Sequence, residues 1–191
     1  MKQQPTLFDQ VQREQKAAYR YRMVHGGLKK TGKRKEKRPM VPRKWVHVVL
    51  KSRRAVGSWS LLKAQNAKST EGILKKQSKR CHVEVKDWVN MGNHLHLKVR
   101  FRERSSMQKF LRVVPGLIAR RVMGAEKGKR KGRFWEGLVF TRVLSSALES
   151  FHLEGYFAAN RVERKFGYDE RRGKIEELDR WIKGMRAMAS G

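Results

Sequence analysis

The sequence predicts an α+β fold with one antiparallel sheet in the order βαββαβ, and three observations carry that prediction. Short β-branched stretches with period-two alternation recur at 45–51, 82–90 and 94–101. Longer stretches with apolar residues at helical spacing lie between and after them. Gly92 and Asn93 form a tight turn between two of the alternating stretches, which makes those strands a hairpin.

Taken in order, the first strand (WVHVVLK) sets Val46, Val48 and Leu50 on one face. Ser58 to about Arg80 is predicted as a helix anchored by Trp59, Leu62, Ile73 and Leu74, with Gly72 weakening it. The hairpin strands follow. Ser105 to Met123 is a second helix with Met107, Phe110, Leu111, Val114 and Ile118 on one side, and Pro115 is expected to kink or restart it. Phe134 to Leu144 is the fourth strand candidate. Ser145 or Ser146 can cap a helix running to about Lys165. A last amphipathic helix carries Ile175, Leu178, Ile182 and Met185. The sum is a ferredoxin-like plan with helices on one face of the sheet, followed by two further helices. No internal repeat is present.

Charge points to the partner. The chain has 191 residues, with 47 Lys+Arg against 17 Asp+Glu and a formal net charge of +30. Self-repulsion of that size implies a polyanionic partner, and phosphate binding with counterion release makes nucleic acid the expected one. A membrane is not expected, because no apolar run approaches the roughly 20 residues of a bilayer span. The single cysteine, Cys81, excludes a disulfide framework and a cysteine zinc site. Residues 1–15 are polar and lack a signal-peptide core, so a reducing, nucleic-acid-containing compartment is expected.

Residues 1–43 are read as a basic, largely flexible arm. Nine Lys/Arg stand against one Glu between Lys29 and Lys44. Gly27, Gly32 and Lys33 have P-loop spacing, but Arg34 stands where magnesium binding needs Ser or Thr, so no nucleotide cofactor is expected. A second basic stretch has five Lys/Arg in the seven residues from Lys127. Phosphate contacts are expected from Lys29, Lys30, Lys33, Arg34 and Lys35, and from Lys127, Lys129, Arg130, Lys131 and Arg133. Trp45, Trp88 and Trp135 are available as stacking surfaces or as core.

Two constellations carry chemistry. His94 and His96 lie two apart on a strand and share a face, opposite Leu95, Leu97, Val99 and Phe101. Paired imidazoles can hold a metal, and they equally suit a polar sheet face turned toward DNA. His152, Tyr156 and Asn160 are spaced four apart on one helix and form a stripe. A tyrosine hydroxyl can attack phosphorus, and an amide oxygen can complete a hard cation's shell. The same helix also reads as one packed by Phe151, Leu153, Phe157 and Val162.

The segment Val89-Asn90-Met91-Gly92-Asn93-His94-Leu95-His96-Leu97 resembles the HUH motif of single-tyrosine transposases, which include the REP-associated tyrosine transposases of bacteria. Phe134 to Arg142 and Glu154 to Asn160 are similar to that family's strand and catalytic-tyrosine helix, with Tyr156 followed four residues on by Asn160. His25-Gly26-Gly27 and Val46-His47-Val48 resemble the entry of many members. The likeness covers about residues 25–163. It implies cleavage and rejoining of single-stranded or hairpin DNA through a 5′-phosphotyrosine, with Tyr156 as nucleophile. It also implies Mg²⁺ or Mn²⁺ held by His94, His96 and Asn160, and a bacterial, cytoplasmic, nucleoid-associated protein; monomer and homodimer both stay open. The catalytic domain is then 44–165 and the C-terminal helix 166–191. His152 is an auxiliary candidate for aligning the tyrosine. Gly92, Gly155 and Arg161 depart from the pattern, Gly92 and Arg161 at positions where many relatives carry proline.

Three other readings have different consequences. A non-catalytic, domesticated DNA- or RNA-binding protein fits the charge but does not need both histidines, Tyr156 and Asn160 together. A carboxylate-metal nuclease needs acidic residues that converge, and Asp9, Asp87, Asp169 and Asp179 have no such spacing. A duplex-reading repressor needs a helix-turn-helix pattern that is not found here.

Overall fold

The computed structural model describes residues 23–27, 37–125 and 131–166. The C-terminal helix expected from 166 onward therefore lies outside the described residues, apart from its first position. So do Lys29, Lys30, Lys33, Arg34, Lys35, Lys127, Lys129 and Arg130.

Among the described residues, five strands and three helices form the domain. They are β1 (Val24–Gly27), β2 (Val46–Lys51), α1 (Ala64–Arg80), β3 (Val83–Asn90), β4 (His94–Phe101), α2 (Arg104–Met123), β5 (Leu138–Val143) and α3 (Ala147–Phe166). The sheet order is β1-β5-β2-β4-β3 and every pairing is antiparallel. The expected α+β plan is thus present, with one strand more than expected. The sequence places Val24–Gly27 in the arm, yet the segment pairs with the outer side of β5. Four residues with two glycines carry no alternation to reveal a strand. Gly26 has φ +85, and a Cβ there would meet the Val139 carbonyl oxygen at 2.1 Å, so only glycine lets β1 approach β5 this closely.

The main core lies on one face of the sheet. Val46, Val48 and Leu50 of β2 and Leu95, Leu97, Val99 and Phe101 of β4 pack beneath Leu74 of α1 and Met107, Phe110, Val114 and Ile118 of α2. The opposite face carries a smaller cluster in which Val89 and Leu144 meet Leu153 and Phe157 of α3. The strand β3 contributes to both faces because its pairing with β4 slips between Val85 and Asp87. That irregularity reverses the side-chain alternation, so Val83 joins the main core while Val89, paired with His96, faces α3.

Three boundaries differ from the sequence reading. Gly57–Trp59 forms a separate 3-10 turn and α1 starts only at Ala64, with Asn66 donating to the carbonyls of Ser58 and Ser60. Leu61 is the buried anchor, and Leu62 is 43 % exposed. Pro115 sits inside α2 without dividing it, buried, and its carbonyl accepts the indole N–H of Trp135 at 2.8 Å. The strand β5 begins four residues later than expected, because Phe134 is drawn into the main core and Gly137 turns the chain at φ +55. Among the described residues no helix is long and apolar enough to cross a membrane.

Candidate active site

The site is assembled on the sheet face that α3 covers. The turn before β4 is held by Asn90, whose amide donates to Leu61 O at 2.7 Å and accepts from Gly92 N at 3.0 Å. Gly92 adopts φ +87, which proline cannot, and this accounts for the departure at that position. Met91 N donates to His94 O across the turn. The strand then presents His94 half-buried and His96 buried, on the face opposite Leu95 and Leu97 as their spacing predicts.

The two imidazoles lie with ring centroids 4.8 Å apart, nearly perpendicular. The Tyr156 ring stands 5.3 Å from His96, also edge to face. A strand and a helix distant in sequence therefore bring together the residues expected for metal binding and nucleophilic attack. Asn160 lies one turn further along α3, 1 % exposed, and its amide nitrogen has no hydrogen-bond partner among the described residues. His152, one turn earlier, lines a cavity of about 300 Å³ with Met23, Val24, Arg142, Val143, Ser145 and Glu149.

One residue at the site was missed in the sequence. His47 of β2 reaches across the strand pair, its Nε2 3.0 Å from His96 Nδ1, with the rings stacked at 5.2 Å. Phe157 and Phe140 meet it edge-on. Burial first, and then the neighbouring Arg142, push its pKa down to about 3, so His47 is neutral. Its place in an alternating strand was legible. Its closeness to His96 depends on the β2–β4 register, in which Val49 pairs with His96 and His47 with Lys98.

The helix α3 is fastened to this face by charge. Lys98 is fully buried; its ammonium donates to Glu154 at 2.6 Å and also reaches the Ser150 hydroxyl. Lys86 binds the same Glu154 oxygen at 2.8 Å. The two lysines hold the Glu154 carboxyl below its ordinary range. Further along, Arg161 pairs with Asp87 and donates to Trp88 O, which gives the second departure a structural task.

Trp45, Trp88 and Trp135 are engaged in packing. Trp88 and Trp135 pack on the main core, and Trp45 borders the smaller one with Lys86, Lys98 and Arg100 over its ring. Of the second basic stretch, Lys131 donates to Met123 O at the end of α2 and Arg133 to Gly137 O. Both bonds satisfy carbonyls of the local backbone.

Among the described residues no group of three or more His, Cys, Asp or Glu side chains is placed so that it could hold a metal ion. The donors present are the imidazoles of His94 and His96, with the buried Asn160 amide on the facing helix. The His94 Nδ1–H donates to Asn93 Oδ1 at 2.5 Å. Imidazole nitrogens suit softer cations than Mg²⁺, so of the two these donors would hold Mn²⁺ better, with oxygen ligands completing its shell.

Comparison with known proteins gives the chain's family and relatives of its fold. The family described as transposase IS200-like matches residues 41–156, a span that takes in β2, the histidine strand and Tyr156. The fold is similar to that of a REP-associated tyrosine transposase bound to a REP hairpin, with TM-score 0.54 and 12 % identity over 71 % of this chain and 76 % of that one. A candidate transposase of Deinococcus radiodurans R1 is similar with TM-score 0.42 and 18 % identity over 66 % of this chain and 98 % of the other. No curated protein matches the chain.

Proposed function

The chain belongs to the IS200-like transposase family, and from that premise we propose that it cuts and rejoins one strand of single-stranded or hairpin DNA through Tyr156. The observation that carries this reading is the meeting of Tyr156 with the His94–His96 pair across the sheet and α3, at 5.3 and 4.8 Å between ring centroids. The Tyr156 oxygen attacks the scissile phosphorus. The bond from phosphorus to the 3′ oxygen breaks, and that oxygen leaves and takes up a proton. The products are a 5′-phosphotyrosine ester and a free 3′-hydroxyl. Attack by a 3′-hydroxyl on the ester reverses the step, and no nucleotide is consumed because the ester conserves the bond. Mg²⁺ or Mn²⁺, held by His94 and His96 with the Asn160 amide as third ligand, supplies polarisation of the phosphate when bound.

The rest of the chain supports this chemistry. Lys98, Glu154 and Arg161 fix where α3 lies and hence where Tyr156 points. The basic residues of 29–35 and 127–133 supply phosphate contacts, and the +30 charge supports that role. The test uses end-labelled hairpin DNA with Mn²⁺ and compares wild type with Tyr156→Phe. Wild type should give a protein–DNA adduct that survives denaturation and needs the cation. The variant should bind DNA equally and give none. Tight hairpin binding with no adduct from either protein would make this a non-catalytic DNA-binding member.

A further inference from the structure

We infer that His47 is a positioning residue: it accepts a hydrogen bond from His96 Nδ1 and so fixes His96 in the tautomer that offers its Nε2 lone pair to a cation. The inference rests on the reading of His94 and His96 as metal ligands and assigns what prepares them.

A neutral imidazole has one N–H and one lone pair, and the hydrogen bond made by one nitrogen decides what the other can do. For His94 the choice follows from its partner. Asn93 Oδ1 can only accept, so His94 carries its proton on Nδ1 and keeps the Nε2 lone pair. The nitrogen of His96 that is engaged is also Nδ1, at 3.0 Å from His47 Nε2. Two neutral imidazoles share one proton across that contact. If His47 accepts it, His96 has the same tautomer as His94, and the pair presents two Nε2 lone pairs. If His47 donated instead, His96 would carry its proton on Nε2 and could not ligate through that atom.

The packing around His47 holds it in this contact. It is stacked on His96 and walled by Phe140 and Phe157, so the ring cannot swing away from the contact. Outer partners of this kind orient a ligand and raise its basicity, and their loss typically weakens metal affinity 10–100-fold.

The test has two arms, neither of which measures DNA cleavage. Nitrogen-15 NMR of metal-free wild type should show His96 protonated on Nδ1. Titration with Mn²⁺, followed by calorimetry or electron paramagnetic resonance, should show affinity falling roughly 10–100-fold in His47→Leu. Leucine keeps an apolar filling but offers no acceptor. His47→Gln, whose amide oxygen can accept, should recover most of the loss, which a purely packing role would not predict. A wild-type His96 protonated on Nε2 overturns the inference, as does unchanged Mn²⁺ affinity in His47→Leu when wild type binds. Wild type that binds no Mn²⁺ overturns the metal reading and this inference together. Should His47→Leu not fold, the wild-type tautomer still decides.

Discussion

Asn90 is the side chain on which the turn before the histidine strand depends. It is 2 % exposed, and it satisfies the Leu61 carbonyl and the Gly92 amide at once. Asn90→Ala leaves both groups without that partner in a buried place, at a cost of about 1–3 kcal/mol. The expected result is a lower urea midpoint with an unchanged slope, because the folded shape is retained while its stability falls. A midpoint equal to wild type would show that the turn is held by its backbone alone. The neighbouring residues show what could be read at this scale. The shared face of His94 and His96 followed from spacing, since period two is a property of any strand. The role of His47 did not, because a cross-strand contact depends on register, and the β2–β4 register is set by the core face on the other side of the sheet.

Among the elements, α3 has the sharpest consequences, since it carries Tyr156 and is held by unlike forces. Phe157 and Leu153 give apolar burial, and the Lys98–Glu154 pair gives direction. The two partners are unequal. Lys98 is fully buried, whereas the Glu154 side chain is 37 % exposed and also binds Lys86. Glu154→Gln leaves a buried ammonium with no anionic partner, only neutral acceptors at position 154 and Ser150 and the face of Trp45, and should cost about 1–2 kcal/mol once solvent screening is allowed for. Lys98→Met should cost less, because the remaining carboxylate keeps Lys86 and water. Equal losses in the two variants would contradict this account. The pH dependence follows from the direction of the Glu154 shift. Its folded-state pKa is depressed, so its stabilisation is present above the ordinary value of 4.5 and is lost as pH falls through the lower folded value. The stability gap between wild type and Glu154→Gln should therefore close on acidification. The existence of α3 was legible from its apolar spacing. Its attachment was not, because Lys98 sits in the strand as a charged residue on a face expected to be polar, and only the overlying helix makes it buried. The strand β1 was invisible for another reason: its glycines are required by close approach to β5, and they erase the alternation that marks a strand.

For the molecule as a whole the governing quantity is charge. Its +30 is distributed over the domain and over residues outside the described parts. Within the described parts some cations have protein partners. Lys86 and Lys98 bind Glu154, Arg100 binds Glu84, and Lys131 and Arg133 bind backbone carbonyls. Phosphate binding is accordingly expected to draw more on the stretch from Lys29 to Lys35 than on Lys131 or Arg133. Counterion release makes this measurable, since each phosphate contact contributes about 0.7 to the logarithmic salt slope on single strands and about 0.9 on duplex. Replacing Lys29, Lys30, Lys33, Arg34 and Lys35 together by glutamine should flatten the slope of hairpin binding by roughly 3.5 to 4.5 if all five touch phosphate. Adduct formation at saturating DNA should be much less affected, because the proposed chemistry gives these residues no part in the step at Tyr156. Replacing Lys131 and Arg133 should change stability before it changes the slope, which a urea titration run alongside would detect. A slope unchanged in the fivefold variant would remove the N-terminal stretch from the DNA interface. The excess charge would then have to act through the folded surface.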